Sequence, residues 1–248
     1  MNLDKTSTKA FEDVDKNDTK KETDQMLEKI AELQATMYAE SKHSFLVILQ
    51  GMDASGKDGT IRKVFSSINP MGCSVTSFKA PNNHETSHDF LWRIHNQTPE
   101  RGMIKVFNRS QYEDILVPTV EKFLPTEQID RRYDDINNFE KLLEDNNTHV
   151  LKFYLHISKE EQQERFKERL DIPEKRWKHN PNDHKTSSKW DAYMSVYEEI
   201  FKRCGKDNPW NIIPADQNWY RDYMITKVIY EKMVELKMKY PKPNFEKN

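Results

Sequence analysis

Cysteine is nearly absent from this chain. Cys73 and Cys204 are the only two in 248 residues, and their separation fits neither a disulfide framework nor a zinc-ligand spacing. No apolar run is long enough to cross a bilayer, and the opening stretch MNLDKTSTKAFEDVDKNDTKKETD lacks the apolar core of a secretory signal. The expected compartment is therefore the cytoplasm. An excess of either charge is missing too: 39 Lys and Arg against 41 Asp and Glu leave a formal net charge of −2. Bulk attraction to nucleic acid or membrane is thereby excluded, and a polyanion has to be recognised by local basic clustering. Apolar residues make up only 35% of the chain, but aromatics reach 11% and the apolar residues come in discrete runs, which is the pattern of a folded protein with a very polar surface.

What is present is an alternation. Residues 1–22 are charged and aperiodic and read as a flexible arm, with one domain over 23–248. From Thr23 the spacing of Met26, Ile30, Leu33 and Met37 predicts a helix with one apolar stripe, to be packed on the body or on a partner subunit. SFLVILQG (44–51) is a continuous apolar run ending in glycine, the signature of a strand covered on both faces. Ile61, Val64, Phe65 and Ile68 mark the helix after it. Strands are expected again at CSVTSFKAP, GMIKVFNRS, THVLKFYLHIS and WNIIPAD, with helices around SHDFLWRIHNQ, from Thr126 to Glu144, from Lys159 to Leu170, from Ser187 to Lys202, and at the carboxyl end. The fold class that follows is α/β: a doubly wound, five-stranded parallel sheet flanked by helices. The stretch from Arg169 to Lys189 breaks the rhythm, with two prolines and no periodic face, and reads as a lid spanning about residues 160–190.

In such a sheet the ligand lies beyond the carboxyl ends of the strands. After the first strand comes Gly51-x4-Gly56-Lys57. Its glycines let backbone N–H groups turn inward, the helix starting near Gly56 to Thr60 contributes its positive end, and Lys57 adds a point charge for phosphoryl oxygens. Two acids are out of place. Asp58 stands where such loops carry a metal-binding Ser or Thr, and Asp53 sits inside the loop. An acid beside phosphate needs a cation or a proton between them, so Asp53 reads as a magnesium ligand or a base; Asp58 serves equally well as a partner for the helix dipole. The third strand delivers Asn108 and Arg109, an amide where a metal-holding carboxylate is usual, which shifts that load to Asp53 or to Glu113 and Asp114. On position alone, Arg109 fits a surface ion pair as well as a transfer role. Eight Lys and Arg between Arg165 and Lys189 either face solvent or close on phosphates.

Taken in order, GMDASGKDGT, FKAPNNHETSHDFLWRIH, GMIKVFNRSQYEDILV, INNFEKLL, LKFYLHISKEEQQERF, RLDIPEKRWKHNPND, WDAYMSVYEEI and PWNIIPAD resemble the polyphosphate kinase 2 family over about residues 25–240. The resemblance implies a P-loop kinase-like fold with a helical or loop lid, and reversible Mg²⁺-dependent phosphoryl transfer between inorganic polyphosphate and nucleoside diphosphates or monophosphates: ADP or GDP to the triphosphate, AMP to ADP. It assigns the phosphate-binding role to Gly51, Ser55, Gly56, Asp58, Gly59, Thr60 and Arg62, and catalysis to Asp53, Lys57 and Arg109, with Asp53 as the metal-linked carboxylate. Lid residues Arg169, Lys175, Arg176 and Lys178 join the phosphate set, as does Arg132, while Lys79, Pro81, Asn108 and Glu113 fall on the nucleotide side. It also implies a homo-oligomer, a tetramer among the forms expected, with no nucleic-acid or membrane partner.

Two positions depart from the family pattern, Thr119 where many members carry Arg and Asn218 where many carry Lys. Two other readings stand beside the resemblance: an ATP-dependent nucleotide kinase, against which Asp58 argues, and a non-catalytic phosphate or nucleotide sensor that binds without turnover.

Overall fold

A computed structural model describes residues 2–178 and 186–243. Its centre is a five-stranded sheet, β1 (Ser44–Gln50), β2 (Cys73–Ser77), β3 (Ile104–Asn108), β4 (Thr148–His156) and β5 (Trp210–Pro214), in the spatial order β2-β3-β1-β4-β5. All four pairings are parallel. The central strand β1 is buried at every residue, as its unbroken apolar run requires. Its side chains alternate between two cores. Leu46 and Ile48 enter one, under α5 (Glu113–Glu121), α6 (Thr126–Asp145) and α8 (Trp190–Arg203); Phe45, Val47 and Leu49 enter the other, under α1 (Lys16–Glu40), α2 (Lys57–Val64) and α9 (Asn218–Glu235). Ile30 and Met37 of the α1 stripe enter this second core, with Leu33 packed against it. Short helices α3 (Asn83–Thr86) and α4 (Trp92–His95) lie in the connection from β2 to β3, and the segment expected to be a lid, about residues 160–190, begins with α7 (Lys159–Asp171) and continues in a 3₁₀ turn over residues 173–178. The described residues include no helix long and apolar enough to cross a membrane.

Three departures from the sequence expectations have identifiable causes. Asp15 caps the backbone N–H groups of Asn17 and Asp18, so α1 begins at Lys16, about two turns before the expected start at Thr23. The helix around residues 87–97 shrinks to Trp92–His95. A helix not anticipated, α5, runs through Pro118. The proline leaves the carbonyl of Asp114, four residues earlier, without its helical donor, and the guanidinium of Arg132 supplies one.

The arm expected to be flexible lies on the body. Leu3 is 1% exposed in the first core. Its N–H donates to Glu198 Oε1 (2.5 Å), and Nε2 of the buried His156 donates to the carbonyls of Leu3 and Thr6, both at 3.2 Å. Thr8 is tied to Asp216 through side chain and backbone, and Ala10 to Gln217. One leucine amid polar residues carries no periodicity, so the sequence pattern was blind to it. Leu3→Ala should lower Tm by roughly 5–10 °C, from a cavity cost of about 2–3 kcal/mol. A thermal scan showing no change would mean that the arm is free.

Candidate active site

The carboxyl ends of β1 and β3 are adjacent, with Leu49 opposite Asn108, at the point where chain connections diverge to the two sides of the sheet. Both segments that leave these ends have unusual backbones. In the β1–α2 loop, Gly51, Ala54 and Gly56 have φ of 150°, 64° and 100°. Three of the chain's six glycines, Gly51, Gly56 and Gly59, are concentrated here. Gly56 caps α2 in the left-handed region, and a Cβ on it would collide with Nη1 of Arg221. At the end of β3, Arg109 is itself left-handed, with φ 65° and a side chain far larger than that region favours.

Lys57, the first residue of α2, is 8% exposed and turns its ammonium back over the loop, donating to the carbonyls of Gly51 (2.7 Å) and Met52 (3.1 Å) and to Ser55 Oγ (3.4 Å). Burial, reinforced by Arg109, pulls its pKa down from 10.5 to about 8. Arg109 donates from Nη2 to Asp53 Oδ1 at 2.6 Å and stands 3.7 Å from Glu113 Oε2. Glu113 and then Asp53 hold that guanidinium pKa above its usual value, against the effect of burial. Glu113 also accepts from Gln50 Nε2 at 3.2 Å. Of the two acids in the YED motif, only Glu113 faces the loop. Asp114 turns to Arg93, 3.1 Å away, and burial raises its pKa.

Asp53, Lys57 and Arg109 line an open groove of about 1060 Å³ that reaches from the loop along α7 to the 3₁₀ turn at residues 173–178. Among its described walls are seven Lys and Arg against five carboxylates, a local excess of positive charge in a chain whose sum is negative. A second cavity, of about 310 Å³, opens on the other side of the Asp53–Arg109 pair and is walled by Leu116, Val117, Tyr193 and Tyr197. Asp53 and Arg109 line both cavities.

The groove brings together Asp53, Ser55, Gly56, Lys57, Asp58, Gly59, Arg62, Lys79, Asn108, Arg109, Arg169 and Lys175, while Gly51 and Glu113 line the second cavity. Asn108 Nδ2 donates to Asp58 Oδ1 at 3.0 Å, so Asp58 joins the start of α2 to the end of β3 while facing the positive end of the helix. Lys175 pairs with Glu168 (2.6 Å), and Arg176 donates to the carbonyl of Leu170. Besides Arg176, three expected residues do not line the groove or the second cavity. Thr60 is fully buried, its hydroxyl 3.5 Å from Asp222 beneath the helix. Arg132 supports α5 through the Asp114 carbonyl and covers the Phe90 ring at 4.7 Å. Pro81 is exposed outside both cavities. The side chain of Lys178 lies outside the described residues.

Two arginines went unassigned in the sequence reading. Arg165 Nη1 donates to the carbonyl of Ala54 (2.9 Å) and Nη2 to those of Ala215 and Asp216, which joins the phosphate loop to the end of β5. Arg221 is 2% exposed, chelated by Asp222 and Asn218, and lies directly behind Gly56 and Gly59, where it adds charge beneath the start of α2. An Arg-Asp pair within the buried stripe of the last helix was the available signal.

The donor chemistry suits a hard cation. Asp53 and Glu113 offer carboxylate oxygens beside the groove, yet the described residues contain no cluster of three or more His, Cys, Asp or Glu able to hold a metal alone. An ion here would have to complete its shell with substrate phosphates and water, as Mg²⁺ commonly does.

Residues 13–241 match the family model described as Polyphosphate kinase 2 (PPK2). The chain is 46% identical over 216 residues to the AMP/ADP-polyphosphate phosphotransferase of Meiothermus ruber, covering 87% of this chain and 81% of the relative. To the ADP-polyphosphate phosphotransferase of Rhodopseudomonas palustris it is 44% identical over 228 residues, covering 87% and 79%. The crystal structure of polyphosphate kinase 2 from Arthrobacter aurescens superposes with a TM-score of 0.96 at 36% identity, over 100% of this chain and 90% of that one.

Proposed function

The chain belongs to the polyphosphate kinase 2 family, and from that premise we propose that it moves the terminal phosphoryl group between inorganic polyphosphate and nucleoside monophosphates or diphosphates, in either direction and with Mg²⁺. The observation that carries this reading is the long cationic groove ending at Asp53 and Arg109: a chain of phosphates, each anionic, can lie along it, and only its last member has to reach the pair. A non-catalytic sensor would have no use for a second opening onto the same two side chains.

In the forward direction an oxygen of the acceptor phosphate attacks the terminal phosphorus. The bridging P–O bond to the next phosphate breaks, and its electron pair leaves with the shortened chain. The protein contributes position and charge, with no covalent intermediate. Lys57 exchanges its carbonyl partners for phosphoryl oxygens, and the start of α2, backed by Arg221, faces the same oxygens. Arg109 spans both openings and meets the charge that spreads over the transferring group. Asp53 and Glu113 are the residues that would hold Mg²⁺, which when bound neutralises phosphate charge. Cytoplasmic placement and assembly into a homo-oligomer, a tetramer included, remain part of the proposal.

A matrix of ADP, GDP, AMP and GMP against polyphosphate, with product identification and with EDTA as control, tests the proposal. Expected is polyphosphate-dependent formation of ATP from ADP and of ADP from AMP, abolished by chelation. Equal turnover with ATP replacing polyphosphate would make the chain an ATP-dependent kinase, and nucleotide binding without product would make it a sensor.

A further inference from the structure

Beneath the turn that follows β3 lies a charged group that lines neither of the two cavities. Lys152, in the middle of β4, is 0% exposed, and its ammonium donates to Glu140 Oε2 (2.6 Å), to the carbonyl of Cys204 (2.6 Å) and to the hydroxyl oxygen of Tyr112 (3.0 Å). All three of its protons are used. The other carboxylate oxygen of Glu140 accepts from the Tyr112 hydroxyl at 2.7 Å and from Gln111 Nε2 at 3.0 Å. The carboxylate of α6 thus grips two consecutive side chains of the turn between Arg109 and Glu113.

A buried ion pair is a poor way to gain stability, since well-packed apolar replacements are often as stable or more so. What it does supply is direction, because each bond has a fixed length and angle. The segment it grips needs direction. Arg109 sits in a left-handed conformation that tends to relax, and only two residues separate it from the anchored Tyr112. Glu113, next along, begins α5 and faces Arg109.

We infer that Glu140, held by Lys152, is a positioning residue for phosphoryl transfer: through Gln111 and Tyr112 it fixes the turn that aims Arg109 and Glu113 at the reacting phosphates. The inference rests on the proposed activity. The pair does not line the groove, so its loss should affect the transfer step and leave phosphate-chain binding intact.

Two double variants separate positioning from packing. Glu140→Leu with Lys152→Met removes charge and acceptors together; Glu140→Gln with Lys152→Met removes the charge but keeps an amide oxygen for Tyr112 and Gln111. Each is assayed where circular dichroism shows it folded. Expected for the first is a roughly 10- to 100-fold loss of kcat, the size of effect that a misplacement of about 1 Å produces, with KM for polyphosphate changed less than about threefold. The second should recover most of kcat. Wild-type kcat in the folded Leu/Met variant overturns the inference, as does equal loss in both. Should the Leu/Met variant not fold, Tyr112→Phe decides by the same split: lower kcat at constant KM supports positioning, and unchanged kcat overturns it. If the wild-type protein itself makes no nucleotide from polyphosphate, the proposed function fails instead.

Discussion

Lys57→Met should lower kcat on the order of 10²–10³-fold while leaving Tm unchanged or raised. The two effects have one origin. The ammonium is carried in a buried site that penalises its charge, which is why its pKa falls to about 8. Its interactions with loop carbonyls offset only part of that penalty, and the full return comes when phosphates arrive. Removing the charge therefore removes a cost to the free protein together with the cation proposed to meet the phosphates. Below pH 8 the lysine is protonated in folded and unfolded chains alike, and the cost is fully present. Between about pH 8 and 10.5 the unfolded chain holds the proton and the folded one does not, so this group makes wild-type stability rise with pH across that window. Lys57→Met lacks the slope, and thermal scans of the two proteins from pH 7 to 10 would show it. Polyphosphate affinity should run the other way, weakening above pH 8 in the wild type because the free protein has given up the proton that binding needs. Turnover within about tenfold of wild type, or matched stability slopes, would remove Lys57 from this role.

The parts of the site that could be read from the sequence are those in which one residue type answers to one backbone demand. Gly51 and Gly56 have positive φ and follow an apolar strand, so their spacing alone marks the loop. The strands were most legible where both sheet faces are covered and the strand is an apolar run, as in β1, whereas β2 (CSVTS) has no buried residue and was marked only by its place in the alternation. Charged side chains were less transparent. Arg109, Arg132, Arg165 and Arg221 are alike in one dimension, yet one pairs with Asp53 where two cavities adjoin, one replaces a helical donor that Pro118 lacks, one joins two loops and one supports a glycine turn. Their roles depend on which carbonyl or carboxylate lies nearby, and that is decided by strand order, not by spacing. Glu140 and Lys152 are the extreme case. Neither is assigned a role by its spacing, and only the packing of α6 against β4 makes them a pair.

Arg109→Gly should cost roughly 10³-fold in kcat and almost nothing in stability, and comparison with Arg109→Ala should show why. A side chain at φ 65° costs about 1–2 kcal/mol that glycine avoids. Against this gain stands the greater freedom of glycine in the unfolded chain, about 0.5–1 kcal/mol, and the loss of an ion pair whose arginine is 40% exposed and therefore contributes little. The terms nearly cancel for glycine. Alanine loses the guanidinium but keeps the conformational cost, so Arg109→Ala should unfold at a lower denaturant concentration than Arg109→Gly while both are equally inactive. Arg109→Lys holds a charge but not the planar fork that reaches Asp53 and the transferring phosphoryl together, and should recover only part of the loss. Single-turnover rates with saturating polyphosphate and ADP, set beside urea midpoints for the three variants, separate the contributions. If glycine and alanine unfold at the same midpoint, the strain at the end of β3 is not stored there; if Arg109→Gly keeps kcat within about tenfold, the charge on the transferring group is met by other residues.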